Sequence, residues 1–233
     1  MMKHFYKILF FVFAIHTSLF ASAQDMTALV QKVKAKLDLV NDYVAEGKMK
    51  TDVAFIKAPI GKIKVFYKKP NLFKLKRENG ISVLPKGGVS VNMNTIISMN
   101  NFVALLAGET EIDGAKTKIV KLLPMSENSE IILTTLYIDE PNLLIKKAVT
   151  TTKENGTYEM SFTYGKYANY SLPDKVIFGF NTKDYKMPKG ITLEFEDGDK
   201  PTEAEKLKAR KGKVELTYSS YIINQGLGSE VFK

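Results

Sequence analysis

The chain has 233 residues, 45% of them hydrophobic and 25% charged, with a formal charge of +9. That suits a single globular domain with enough apolar material for its own core, and it excludes a long disordered polymer. There is no cysteine, and both histidines, His4 and His16, lie near the N-terminus. Beyond them the chain lacks the residues of Ser-His-Asp and Cys-His triads and of ordinary zinc, haem and iron–sulfur sites, so no enzyme activity, metal or cofactor is expected. Carboxylate-only or lysine chemistry remains open, and no motif points to it.

Residues 1–23 read as a signal peptide. Lys3 and Lys7 form a basic start, residues 8–15 are apolar, and Ala21-Ser22-Ala23 is a small-x-small cleavage site. Cleavage after Ala23 would leave Gln24 first. The apolar run is shorter than the roughly 20 residues that a spanning helix needs. A soluble domain over residues 24–233, outside the cytoplasm and held without disulfides, is expected. Cleavage also takes the charge from +9 to +7 by removing Lys3 and Lys7. The remaining lysines suit a solvated surface, anionic head groups or an acidic partner; no motif suggests nucleic acid.

Residues 25–47 follow helical spacing. Leu29, Val33, Leu37, Val40 and Val44 form one stripe, Asp25 or Thr27 can cap the start, and Gly47 follows the end. Strand signals come next at Val53 and Phe55. In residues 61–79, Ile63, Val65 and Tyr67 alternate with Lys62, Lys64 and Lys68. Pro70-Asn71 bends the chain, and Phe73 and Leu75 then alternate with Leu72, Lys74 and Lys76. Asn79-Gly80 predicts a hairpin turn before a short strand at 81–84. Residues 94–107 carry Ile96, Ile97, Met99, Phe102, Val103, Leu105 and Leu106 and predict a helix apolar over most of its circumference. Such a helix is either buried core or a lid over something apolar and removable.

From Lys116 onward the spacing is that of antiparallel strands. They cover 116–122, 130–138, 143–152, 157–164, 176–180, 191–196 and 214–223, with turns at Pro141-Asn142 and Asn155-Gly156. Tyr158, Met160, Phe162 and Tyr164 make the cleanest alternation, and Phe178 follows on the next strand. About eleven strands, an N-terminal helix and a helical lid make an α+β protein. A sheet this long tends to curl, giving either an incomplete barrel around an apolar cavity or a filled core.

The run Lys69-Pro70-Asn71-Leu72-Phe73 after a strand resembles the turn motif of the periplasmic outer-membrane lipoprotein carriers, the LolA-like family. The run GETEIDG at 108–114, TLYID at 135–139, and Tyr221-Ile222-Ile223-Asn224 with Gly226 and Phe232 resemble other segments of that superfamily, in order. The resemblance implies a curved sheet under a helical lid that holds acyl chains. The carriers have Arg at the basic position, tying the lid closed through its backbone. Here Lys69 stands there, without the planar fork, and Leu75 stands where Trp is common.

On that resemblance the expected function is a periplasmic carrier that shuttles acylated lipoproteins toward the outer membrane. An inner-membrane release complex and an outer-membrane acceptor are its implied partners, and a monomer its expected state. The alternative is a lipid- or lipoprotein-sensing domain of the same fold. The expected lipid-binding residues are Val65, Tyr67, Phe73, Leu75, Met99, Phe102, Leu106, Tyr158, Met160, Phe162 and Phe178, with Lys69 as the lid latch. Acyl chains need only apolar, adaptable walls, at roughly 0.8 kcal/mol per buried CH2.

Overall fold

The computed structural model describes residues 25–52, 60–78, 101–154, 156–181 and 211–232. Ten strands are found among them: β1 (Asp42–Asp52), β2 (Gly61–Lys68), β3 (Leu72–Arg77), β4 (Phe102–Ile112), β5 (Ala115–Pro124), β6 (Ile131–Asp139), β7 (Leu144–Thr152), β8 (Thr157–Thr163), β9 (Lys175–Asn181) and β10 (Lys211–Ile223). One helix, α1 (Thr27–Leu37), precedes them.

The strands form a single curved antiparallel sheet in the order β3-β2-β1-β10-β9-β8-β7-β6-β5-β4. Sequential strands are neighbours from β1 to β3 and from β4 to β10. The first strand pairs with the last: Tyr43 stands opposite Ile223 and Lys48 opposite Thr217. Among the described residues the sheet does not close, and β3 and β4 are its two outermost strands. The architecture is therefore an incomplete barrel with one helix.

Period-two burial explains the strands. In β2, Ile63, Val65 and Tyr67 are buried, while Lys62 and Lys64 point out. In β8, Met160 and Phe162 are buried between exposed Glu159 and Thr163. Gly156 and the Pro141-Asn142 turn fall between strands as expected, and Asn155 lies outside the described residues.

Two helical expectations are corrected. The helix predicted over 25–47 ends at Leu37, and Asp42–Asp52 is strand. Leu29, Val33 and Leu37 lie on its buried face, but Val44 belongs to β1. There Tyr43, Ala45 and Met49 are buried at strand spacing, and pairing with β2 and β10 satisfies the backbone on both sides. Gly47 is not a helix stop. It lies at a register shift in β1, where an added Cβ would meet the Thr217 carbonyl oxygen at 2.2 Å.

The second correction concerns the lid predicted over 94–107. Residues 94–100 lie outside the described residues, but Phe102 to Ala107 are in strand β4. An all-apolar run satisfies both periods, and pairing decides between them. Ala104 stands opposite Leu122 and Leu106 opposite Val120, both on the core face. The strands expected near 53–55, 81–84 and 191–196 also lie outside the described residues.

Helix α1 runs from β4 to the β2–β3 turn. The Met26 N–H donates to the Ala104 carbonyl (3.0 Å), and Asp25 bridges to Leu105. The Asp25 carboxylate accepts the Thr27 N–H at 2.8 Å and so supports the first turn. Lys36 donates to the Asn142 carbonyl at 2.7 Å in the β6–β7 turn. Leu29, Val30, Val33 and Leu37 face the sheet and join one continuous core with Val65, Tyr67, Met160 and Phe178.

Candidate functional site

The structure sorts the sequence-predicted residues into two groups. Val65, Tyr67, Met160, Phe162 and Phe178 are buried on the inner face, at 2% exposure or less. The register aligns them: Val65 opposite Leu75, Tyr67 opposite Phe73, Met160 opposite Phe178. The Tyr158 ring lies 5.6 Å from Phe178 between centroids. These side chains belong to the packed core beneath α1.

The second group is half-buried and lies on the two outermost described strands. Phe73 and Leu75 sit on β3, Phe102 and Leu106 on β4, and all four pack against the core cluster. Each edge of the incomplete barrel thus presents two apolar side chains on the inner face. Met99 lies outside the described residues.

Lys69 is part of the β2–β3 turn, where the basic-Pro-x-x-Phe run places it. Its ammonium donates to the carbonyl oxygen of Asp38, the residue that ends α1. It also lies 3.4 Å from Asn41 Oδ1 and 3.7 Å from the Asp38 carboxylate. A cation at a helix C-terminus meets the negative end of the macrodipole. The expected chemistry is present, but the helix it grips is α1 rather than one over residues 94–107.

Asn224 holds the same junction from the other side. Its Oδ1 accepts the Asn41 N–H at 2.7 Å and its Nδ2 donates to the Leu39 carbonyl at 2.9 Å. The buried Asp42 carboxylate accepts the N–H groups of Gln225 (2.9 Å) and Gly226 (3.0 Å). Sequence reading missed Asp38, Asn41 and Asp42. The only signal was the Tyr-Ile-Ile-Asn-x-Gly run, whose Asn adopts φ 57°, a conformation that Asn tolerates.

Beneath this junction lies a tyrosine cluster. Tyr43 packs 5.2 Å from Tyr67 and 5.4 Å from Tyr221, and Tyr167 lies 5.0 Å from Tyr221. Burial pushes the phenols of Tyr43, Tyr218 and Tyr221 well above the ordinary range, so they stay neutral. The Tyr221 hydroxyl donates to the Pro173 carbonyl at 2.7 Å.

A pocket of about 380 Å³ opens beside the start of α1, lined by Asp25, Met26, Ala28, Leu29, Lys32, Lys118, Glu140, Pro141 and Leu143. None of the expected lipid-binding residues lines it, and Lys118 pairs with Glu140 at 2.7 Å across its wall. Among the described residues no three metal-ligating side chains come together.

No family model matches the sequence, and no curated protein matches it. The three-dimensional fold does have counterparts. An outer membrane lipoprotein-sorting protein domain from Vibrio parahaemolyticus superposes with a TM-score of 0.54 at 10% identity, covering 88% of this chain and 94% of that one. A LolA superfamily protein from Nitrosomonas europaea gives 0.52 at 11% identity, covering 91% and 98%. The chain shares the fold of these two proteins. A DUF1329 family protein from Desulfovibrio piger shares it as well, with a TM-score of 0.53 at 12% identity and coverage of 90% and 98%. The fold agrees with the sequence resemblance, and in this chain the Lys69 turn lies at the end of α1.

Proposed function

We propose that the protein is an exported carrier that holds acyl chains of lipoproteins between the inner face of the sheet and α1, and moves them through the periplasm toward the outer membrane. The observation that carries this reading is the seam of the incomplete barrel. Phe73 and Leu75 on one edge and Phe102 and Leu106 on the other are half-buried, apolar and on the inner face. An acyl chain entering there meets the side chains of Phe73, Leu75, Phe102 and Leu106, and each CH2 it buries contributes roughly 0.8 kcal/mol.

Lys69 is the proposed latch. By holding the end of α1 it would keep the helix over the core, and release of that end would widen the site. The inner-membrane release complex and outer-membrane acceptor follow from the family likeness and belong to the proposal.

The test uses the exported chain purified without detergent. Mass spectrometry of its organic extract should show copurifying diacyl or triacyl species. The delipidated chain should bind a palmitoylated peptide and not its unacylated form. Depletion in the source cell should leave lipoproteins in the inner membrane. Acyl binding with normal lipoprotein sorting would favour the sensing domain instead, and absence of acyl binding would reject both.

A further inference from the structure

The outer face of β1–β3 carries an array of lysines with few counter-ions. Residues directly opposite in an antiparallel pair share a face. Lys48 stands opposite Lys62, and Lys64 opposite Lys76. Lys50 follows Lys48 on the same face of β1, and all five are exposed. Among the described residues two carboxylates reach them: Glu46 lies 3.3 Å from Lys64 and Glu78 lies 3.8 Å from Lys62. Among the described residues no carboxylate is within ion-pair distance of Lys48, Lys50 or Lys76.

Like charges directly opposite each other weaken strand pairing. Elsewhere lysines meet acids: Lys147 pairs with Glu159 at 2.7 Å, and Glu215, the residue opposite Lys50, pairs with Lys175 at 3.1 Å. The concentration on β1–β3 is therefore not the pattern of the whole surface. Arg77, the arginine of these strands, stands opposite Ile63 and so belongs to the inner face. Lysines are hydrated point charges on flexible stems, suited to a diffuse anionic plane rather than to the bidentate recognition that arginine supplies. Ile60, 63% exposed just before β2, adds an apolar side chain at the border of the array.

We infer that the outer face of β1–β3 is a docking surface for an anionic phospholipid bilayer. It lies on the opposite face of the sheet from the acyl-chain site and does not rest on the carrier reading. Either can fail while the other holds.

The experiment is cosedimentation of the exported chain with vesicles of phosphatidylcholine alone or with a third phosphatidylglycerol, at low and high salt. Binding should require phosphatidylglycerol and fall steeply with salt. Each lysine near such a surface is worth about a fivefold change in partitioning. The combined variant Lys48→Gln, Lys62→Gln, Lys64→Gln, Lys76→Gln should thus lower it by roughly a hundredfold or more. It should also melt no lower than the parent, because the opposed pairs are relieved. A control with Lys121, Lys147, Lys153 and Lys166 changed to Gln loses the same charge and should keep most of the binding.

Equal binding to both vesicle types overturns the inference, as does an equal fall in the two variants. So does retention of the chain by acidic soluble protein without any vesicle binding. Should the variant fail to fold, amine labelling of the unaltered chain decides. Vesicles must shield Lys48, Lys62, Lys64 and Lys76 more than Lys147 and Lys153, and uniform labelling overturns the proposal.

Discussion

The ammonium of Lys69 donates to the carbonyl oxygen of Asp38, the residue at which α1 ends. It links the turn at one outermost described strand of the sheet to the helix that starts on the other. A contact of this kind can hold α1 in place without supporting the sheet itself.

Lys69→Met should therefore loosen α1 and spare the strands. A hydrogen bond from a charged donor is worth about 1.5–3 kcal/mol when buried, and partial exposure of Lys69 lowers this to about 1 kcal/mol. Hydrogen exchange over residues 27–37 should rise severalfold, with β6 to β8 unchanged, and Lys69→Arg should restore protection. Uniform acceleration across the sheet would mean that Lys69 is a stabilising residue of the whole fold and not a latch.

The two groups of apolar candidates should respond differently to substitution. Phe162 is 2% exposed, and Phe162→Ala should cost about 3–5 kcal/mol, read as a fall in denaturation midpoint. Leu106→Ser at the half-buried edge should cost less, about 1–2 kcal/mol, because part of the side chain is already hydrated. On the carrier reading, Leu106→Ser lowers affinity for a palmitoylated peptide at least tenfold. Undiminished acyl binding in that folded variant would remove the β4 edge from the site.

The sheet was legible in the sequence wherever polar residues break the apolar run. Lys62, Lys64, Glu159 and Thr163 mark outward positions and leave one reading for β2 and β8. Residues 102–107 contain no such marker, so helix and strand fit equally, and the choice rests on Leu122 and Val120 across the ladder. Residues 42–47 failed for a related reason. Val40 and Val44 continue a helical stripe by coincidence, while the partners that make β1 a strand lie at 61–68 and 211–223. The Lys69 turn was legible because a motif carries it. Its partners Asp38 and Asn41 were not, since a backbone carbonyl and a loop amide leave no periodic trace.

The buried tyrosines make stability depend on alkaline pH. Burial raises the phenols of Tyr43, Tyr164, Tyr218 and Tyr221 above their unfolded values. Below about pH 10 both states are protonated, and the contribution is fully present. As pH rises past that value the unfolded chain releases protons that the folded chain keeps, so stability falls, by up to about 1.4 kcal/mol per pH unit for each phenol. Tm followed from pH 8 upward should be flat with respect to these groups and then drop above about pH 10. Tyr218→Phe should make the drop shallower. Phenolate absorbance that appears before unfolding in the parent and is missing in Tyr218→Phe would contradict the burial of the Tyr218 hydroxyl.

Asn224 separates a backbone effect from a side-chain effect at the α1–β1 junction. It adopts φ 57°, which glycine accepts freely and alanine does not. Its amide bonds Leu39 and Asn41 at 2.9 and 2.7 Å, and both contacts are exposed. Asn224→Gly should remove the side-chain bonds alone and cost about 1–2 kcal/mol. Asn224→Ala should add about 1 kcal/mol of left-handed strain. Both substitutions should raise hydrogen exchange at residues 38–42, at the junction that Lys69 grips from its other side. Equal midpoints for the two variants would show that the backbone relaxes at this position. Unchanged exchange at 38–42 would show that Lys69 alone holds the helix end.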